Sequence, residues 1–380
     1  MKKRKKVILL FIAASLFVTN LALAAPNPPN IVAKSAIVID AATGKVLYSR
    51  NAEERRYPAS TTKIMSLIVA LEHSNLDDMV TTSKNASGTD GSTLWLAEGE
   101  KLKMIDLLYG IMLVSGNDAT VAVAEHISGS VEKFSRLMTD KAHRIGAKDT
   151  NFTNPNGLPD PNHFSTAHDL ARITAYGYKN FLFAEIINTK NKVIPWAGKD
   201  FDRDLYNENR MLWLYEGGNG VKTGYTDAAG RCLVSGAKRN GIQLITVVLD
   251  SDTMWDDSIA LLDFGFNQVK PEAILSQDDI LKTIRVANGK SSAVKLIAST
   301  NLVVPISGDN KEEFSTVIDS PNKVEAPVVK GQKLGEVRVF YQNTEIATVD
   351  LLASENIDRK SFFSMLTERV LSFFSFFIGK

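Results

Sequence analysis

Short apolar runs bounded by turn residues mark four strands in the first part of the chain. Residues 35–39 and 45–48 flank a Thr-Gly pair, and residues 231–238 and 242–250 are joined by Asn-Gly. Asn-Gly between two apolar runs is the strongest short-range hairpin signal. The sequence therefore predicts one β-hairpin near the start of this region and another near its end.

Between the two hairpins the hydrophobic pattern changes to one typical of helices. Residues 64–71 are almost all apolar, which predicts a helix that is buried on most of its sides. Further helices are predicted at residues 104–114, 119–127, 131–144 and 167–177. Strands at both ends with helices between them predict a mixed α/β domain, residues 25–268, with a mainly antiparallel sheet whose two ends meet in space.

The pattern beyond this domain predicts a second, smaller unit. Between residues 274 and 353, short β-branched runs alternate with Asn-Gly, Gly-Asp and Lys-Gly turns. Such alternation is typical of a small all-β domain. Because no catalytic constellation occurs in it, we interpret this domain as a spacer or scaffold.

The last segment, residues 357–380, has an amphipathic pattern. Polar residues at positions 364, 368, 372, 375 and 379 fall on one stripe of a helix, and phenylalanines fill much of the remaining arc. A membrane span needs about 20 uninterrupted apolar residues, and Glu368-Arg369 interrupts this one. We therefore expect a helix that lies in the membrane surface, with docking on the protein's own core as the alternative.

The N-terminus has the pattern of a signal peptide. Basic residues at 2–6 precede an apolar stretch at 7–21, and Ala22-Leu23-Ala24 offers a small-x-small cleavage site. The sequence therefore predicts that residues 1–24 are removed and that the mature protein is exported. A retained N-terminal membrane helix is the alternative.

Composition and charge exclude several classes of protein. The 44 basic and 43 acidic residues give a formal net charge of +1, which argues against a polyanion such as nucleic acid as the main partner. None of the five histidines lies in a Gly-x-Ser-x-Gly context, and no His-x-x-x-His motif occurs. We therefore predict no metal and no cofactor, and no Ser/His/Asp triad.

Three short motifs in a fixed order carry the candidate chemistry. They are Ser60-x-x-Lys63, Ser115-x-Asn117 and Lys222-Thr223-Gly224. The first pattern occurs five times in the chain and is uninformative alone. Context supplies the information, because the first motif begins the buried helix, the second lies between two helices, and the third opens a hairpin.

The first motif pairs a nucleophile with a base. A serine hydroxyl is a poor nucleophile until a base removes its proton, and residues three apart share one face of a helix, so Lys63 can contact Ser60. Lys63 must be neutral to act as that base, and an apolar setting with the charge of Lys222 nearby would lower its pKa. The helix N-terminus would direct N–H groups towards the developing oxyanion.

The three motifs together resemble those of low-molecular-mass penicillin-binding proteins, the serine-type D-Ala-D-Ala carboxypeptidases of peptidase family S11. The resemblance extends to residues 154–158 and 164–167 and covers essentially the whole chain. It implies a β-lactamase/transpeptidase-like catalytic domain that removes the terminal D-Ala from peptidoglycan stem pentapeptides through an acyl-enzyme on Ser60. β-Lactams would inhibit covalently, and the protein would be peripheral on the outer face of a bacterial cytoplasmic membrane.

The resemblance also implies roles for the third motif and the residue that follows it. Lys222 and Thr223 would hold the terminal carboxylate of the substrate. Together with Gly224 they would line the edge strand against which the peptide is laid. The backbone N–H groups of Ser60 and Tyr225 would form the oxyanion hole.

The resemblance also assigns roles to the two residues of the second motif. The resemblance implies that Ser115 relays a proton towards the leaving amine and that Asn117 holds the substrate amide and the lysine.

The motifs also bear on two alternative functions, a non-catalytic wall-binding protein and a β-lactamase. A non-catalytic wall-binding protein with the same fold would be expected to have lost at least one motif residue. A class A-like β-lactamase would add a Glu-x-x-Leu-Asn segment. None of the glutamates between the second and third motifs begins one: Glu125, Glu132, Glu185, Glu208 and Glu216.

Overall fold

A computed structural model describes residues 27–306 and 313–361, which form an α/β region followed by an all-β region. The strands of the α/β region are β1 Ser35–Asp40, β2 Val46–Arg50, β3 Met79–Thr81, β4 Lys101–Lys103, β5 Asn191–Ile194, β6 Arg203–Tyr206, β7 Gly218–Thr226, β8 Gly230–Arg239 and β9 Ile242–Leu249. Its helices are α1 Lys63–His73, α2 Lys84–Ser87, α3 Met104–Leu113, α4 Asn117–Ser128, α5 Val131–Arg144, α6 Ala167–Gly177, α7 Phe181–Asn188, α8 Met211–Leu214 and α9 Met254–Gln268. The predicted mixed α/β class is confirmed.

The central sheet joins the beginning of this region to its end. Its five antiparallel strands lie in the order β2-β1-β9-β8-β7. Because β1 pairs with β9, the two predicted hairpins meet in one sheet, as expected. Helix α9 packs on one face, and α6, α7 and the helices around them cover the other. This arrangement leaves β7 as an edge strand beside the start of α1.

Helix α1 is the centre of the larger core. Every residue from Lys63 to Ala70 is buried, and the helix contacts α3, α4, α5, α6 and α7. Each fully buried Leu, Ile or Met contributes roughly 1.5–3 kcal/mol relative to an exposed position. The predicted burial of this helix is confirmed, and its rigid packing fixes the direction of the side chains at its N-terminus.

The described part of the all-β region contains eight strands. They are β10 Lys270–Leu275, β11 Ile280–Ala287, β12 Ala293–Ala298, β13 Leu302–Ile306, β14 Phe314–Asp319, β15 Lys323–Glu325, β16 Lys333–Tyr341 and β17 Thr344–Ala353. Six of them form one sheet in the order β14-β16-β17-β12-β11-β15, while β10 pairs with β13. The region begins with β10, four residues before the predicted start at 274, and it contacts the α/β region where Val303 meets Gly241 of the β8–β9 turn.

The predicted amphipathic helix at residues 357–380 is wrong at its start. Ile357 and Arg359 form isolated β-bridges with Val328 and Gly289. The N–H groups of Val328 and Ile357 each donate to the other residue's carbonyl, at 3.0 and 2.8 Å. Because Ile357 is buried in the core of the β region, its backbone pairs with Val328 instead of starting a helix.

The remaining terminal predictions lie outside the described residues. These are the rest of the predicted helix, from residue 362 onwards, and the predicted signal peptide at residues 1–24. Within the two described ranges, no helix combines the length and the apolar character that crossing a membrane requires.

Candidate active site

Ser60 lies in a tight 3-10 turn, Ala59–Thr62, immediately before α1. Ala59 has a φ of +47°, a region that side chains with a Cβ rarely adopt. Two glycines allow the turn to be enclosed: a Cβ on Gly157 would lie 1.9 Å from the Ala59 carbonyl oxygen, and one on Gly224 would lie 2.9 Å from the Ser60 nitrogen. The nucleophile is therefore held one turn before the helix, where the sequence analysis placed it on the helix itself.

Lys63 is fully buried and contacts three oxygens. Its Nζ is 3.0 Å from Ser60 Oγ, 2.6 Å from Asn117 Oδ1 and 2.7 Å from the carbonyl oxygen of Asn156. A neutral amine has two N–H donors and one lone pair. It can therefore donate to the two carbonyl oxygens, from Asn117 and Asn156, while its lone pair faces the serine hydroxyl. This geometry suits a base that takes the proton of Ser60.

The electrostatic setting favours the neutral form of Lys63. Burial lowers the pKa of Lys63 well below its usual value, and the positive charge of Lys222 lowers it further. Burial also lowers the pKa of Lys222, to about 8, and the Glu208 carboxylate opposes that shift. The predicted lowering of the Lys63 pKa, with Lys222 as the charged neighbour, is confirmed.

The second motif presents a serine hydroxyl and a fixed amide. Ser115 has a φ of +64°, and its buried Oγ has no hydrogen-bond partner among the described residues. Asn117 is fixed because its N–H donates to the Ser92 carbonyl at 2.7 Å and its Nδ2 donates to the Asp90 carbonyl at 2.6 Å. The amide oxygen of Asn117 therefore faces Lys63, and the Ser115 hydroxyl keeps its hydrogen-bonding capacity for another group.

The third motif lies in the middle of edge strand β7. Lys222 is buried and its Nζ donates to Thr223 Oγ1 at 3.3 Å. Thr223 Oγ1 in turn donates to Glu208 Oε2, also at 3.3 Å. Tyr225 is 61% exposed, and its hydroxyl donates to Asp227 at 2.9 Å. The strand thus presents a hydroxyl and an accessible backbone edge to one cleft, and the Lys222 ammonium lies buried beside that hydroxyl.

Five of the eight predicted site residues line one cleft of about 220 Å³, and the other three are hydrogen-bonded to this group from behind it. It is lined by Ser60, Ser92, Ser115, Glu208, Thr223, Gly224, Tyr225, Arg231 and Met254. The side chains of Lys63, Asn117 and Lys222 lie buried behind this lining. Sequence reasoning did not assign roles to Ser92, Asn156, Glu208 or Arg231. Only Asn156 had a signal, because it lies in a segment that carried the family resemblance.

These contacts define a class of site: a serine acyl-transfer centre with a buried lysine base, on an antiparallel sheet with helices on both faces. A family model described as D-alanyl-D-alanine carboxypeptidase matches residues 22–253. A second one, described as the C-terminal domain of penicillin-binding protein 5, matches residues 270–359. The chain belongs to the D-alanyl-D-alanine carboxypeptidase family, and with it to the low-molecular-mass penicillin-binding proteins.

Individual relatives agree with this family. D-alanyl-D-alanine carboxypeptidase DacF of Bacillus subtilis is 33% identical over 345 residues, 88% of each chain. DacA of Haemophilus influenzae is 33% identical over 359 residues, 90% of this chain and 89% of its own. Penicillin-binding protein 5 of Haemophilus influenzae superposes with a TM-score of 0.62 at 31% identity, over 88% of this chain and 100% of that one. The predicted transpeptidase-like fold followed by a β domain is confirmed.

Proposed function

We propose that this protein is a serine D-Ala-D-Ala carboxypeptidase that removes the terminal D-Ala from peptidoglycan stem peptides through an acyl-enzyme on Ser60. One observation carries the proposal: the buried Lys63 amine lies 3.0 Å from Ser60 Oγ, with its other contacts on carbonyl oxygens. The similarity to proteins named D-alanyl-D-alanine carboxypeptidases supports the substrate class.

Acylation begins with proton transfer from Ser60 to Lys63. The Ser60 oxygen then attacks the carbonyl carbon of the penultimate D-Ala, and the N–H groups of Ser60 and Tyr225 stabilise the oxyanion. The C–N bond breaks as the leaving amine of the terminal D-Ala takes a proton through the Ser115 hydroxyl. That role suits a buried hydroxyl with no other partner among the described residues.

Substrate orientation depends on the edge strand. Lys222 and Thr223 bind the terminal carboxylate of the peptide, because an ammonium and a hydroxyl together make charge-assisted hydrogen bonds. Asn117 holds the substrate amide while its own oxygen remains on Lys63. Water then hydrolyses the ester on Ser60 and releases the shortened peptide. β-Lactams acylate the same serine, and their slow hydrolysis leaves a long-lived adduct.

The location of the protein is a second part of the proposal. The predicted signal peptide at 1–24 and the amphipathic sequence pattern from residue 362 onwards support export and attachment to the outer face of the cytoplasmic membrane. Fractionation of cells that produce the full chain tests both. Membrane release by high pH or salt with a mature N-terminus at Ala25 is expected, and recovery only in the cytoplasm would contradict it.

The nucleophile is tested by intact mass after incubation of the full chain with benzylpenicillin, followed by peptide mapping. A stable adduct on Ser60 and release of D-Ala from a pentapeptide are expected, and Ser60→Ala should lose both. Ser130→Ala is the matched control, since Ser130 begins the same Ser-x-x-Lys pattern but only caps α5. Rapid turnover of penicillin would favour a β-lactamase, and no adduct with intact penicillin would favour a non-catalytic protein.

A further inference from the structure

Glu208 is a carboxylate that the fold presents to the cleft. It lies between β6 and α8, and its neighbours Asn207 and Asn209 are both buried. Asn207 Nδ2 donates to the Thr189 carbonyl at 2.9 Å, and Asn207 Oδ1 accepts from the N–H of Asn209 at 2.8 Å. The N–H of Glu208 donates to the Leu113 carbonyl at 3.0 Å. The backbone is therefore fixed on both sides, and only the Glu208 side chain faces the cleft.

The position of this carboxylate overlaps the proposed carboxylate-binding group. Thr223 Oγ1 is 3.3 Å from Glu208 Oε2 and also 3.3 Å from Lys222 Nζ. Glu208 therefore accepts a hydrogen bond from the hydroxyl that the terminal carboxylate of a substrate would use. The other charged groups that face it are Lys222 and Lys63, together with Arg231 on β8.

We infer that Glu208 is a specificity-determining residue that occupies the terminal-carboxylate subsite in the free protein and competes with the substrate's own carboxylate. The inference rests on the proposed function. A substrate carboxylate at Thr223 must displace the Glu208 carboxylate or lie beside a second negative charge, and either weakens binding. A ligand without that carboxylate meets no such repulsion. Glu208 thus reduces the preference of the site for anionic over neutral C-termini.

The test compares two peptides that end in D-Ala-D-Ala, one with a free C-terminal carboxylate and one with a C-terminal amide. KM and kcat are measured for both at pH 6 by mass spectrometry of the released amine. At that pH Lys222 is charged, because its pKa is about 8. The proteins are the full chain, Glu208→Gln, Glu208→Asp, and Glu216→Gln as a control at an exposed glutamate eight residues further on.

Glu208→Gln should lower KM for the carboxylate peptide about tenfold and change KM for the amide peptide less than twofold, with kcat unchanged. Glu208→Asp keeps the charge, so its KM values should remain closer to those of the unsubstituted protein. Glu216→Gln should have the same KM values as the unsubstituted protein. Equal changes for both peptides, or no change for either, would overturn the inference. So would a fall in kcat with accumulated acyl-enzyme, because Glu208 would then act on the deacylating water. Failure of the unsubstituted protein to release either amine would instead refute the proposed function.

Discussion

The α/β region and the all-β region bury different kinds of side chain. Among residues 27–306 and 313–361, every buried polar or charged side chain lies between Ser35 and Ser258, and the buried core of the β region is apolar. A buried polar group is costly unless it is hydrogen-bonded, and a buried charge costs more. The α/β region therefore accepts this cost where the site lies, while the buried core of the β region consists of apolar side chains.

Residues with positive φ also differ in kind between the α/β region and the β region. Among the described non-glycine residues of the β region, positive φ falls on turn residues with polar side chains: Asp278, Asn288, Gln342 and Asn343. In the α/β region it also falls on Ala59, Trp95 and Ser115, for which this conformation is unfavourable. Two of these three belong to the cleft or its turn, and Trp95 is three residues from Ser92. The strained positions thus gather around one site.

The largest expected effect follows from removal of the buried base. Lys63→Met should slow acylation by benzylpenicillin about 10²–10⁴-fold, the contribution typical of a general base, while leaving the β region unchanged. Intact-mass time courses measure the rate. Lys133→Met is the matched control, because this exposed lysine ends the same four-residue pattern at α5. Acylation within tenfold of the unsubstituted rate would mean that another group takes the Ser60 proton.

The next effect concerns a buried ion pair that supports the cleft. Arg203 contacts Glu100 at 2.7 and 3.0 Å, both side chains are 3% exposed, and Arg203 Nε donates to the Leu94 carbonyl. Arg203→Ala leaves a buried carboxylate unpaired and should lower the free energy of unfolding by about 3–5 kcal/mol.

Urea titration followed by circular dichroism, which reports on both regions, measures this loss. The control, Lys290→Ala, removes an exposed ion pair with Asp358 in the β region and should cost at most about 1 kcal/mol. Equal losses of unfolding free energy for the two variants would contradict the conclusion that the α/β region contains the costly buried charges.

A core substitution in the β region should separate stability from activity. Leu351 is fully buried there, so Leu351→Ala should destabilise that region by about 2–5 kcal/mol. Acylation by benzylpenicillin should stay within twofold, since the cleft lies in the other region.

The distribution of tryptophan makes the experiment specific. The four tryptophans, Trp95, Trp196, Trp213 and Trp255, all lie in the α/β region. The circular-dichroism transition in urea should therefore move while the fluorescence transition does not, and Leu67→Ala in α1 should move the fluorescence transition. If Leu351→Ala moves both together, the two regions unfold as one unit.

The smallest effect is a pH dependence that only the α/β region can produce. Lys222 has a lowered pKa of about 8, so its charge is present below that pH and is lost as pH rises through it. Since the charged form binds the terminal carboxylate, kcat/KM for a D-Ala-D-Ala peptide should fall about tenfold per pH unit above 8. The corresponding peptide with a C-terminal amide should not show this decrease in kcat/KM above pH 8. If it does, the decrease reports the titration of another group.

Local sequence was sufficient for some of the regular elements. Helices α5 and α6 have the predicted bounds, and the Thr166 side chain caps α6 by accepting from the N–H of Asp169. It did not predict the short helices α2, α7 and α8, in which few residues show the helical period, and it also missed the 15-residue helix α9. It also failed at Ile357, where burial against a sheet overrode an amphipathic pattern.

The sequence by itself determined the fold class, the three motifs and the pairing of Ser60 with Lys63, because these depend on hydrophobic periodicity and on local spacing. The spacing of three residues brings the two side chains together even though Ser60 lies in the 3-10 turn before α1 and not on the helix. Only the tertiary structure decided the rest of the cleft. The Asn156 carbonyl contacts Lys63 from 93 positions further along the chain, and the Glu208 carboxylate contacts Thr223 from 15 positions before it. Burial, which lowers both lysine pKa values, is likewise set by packing around them. Hydrogen bonds and desolvation depend on distances in space, which spacing along the chain does not specify.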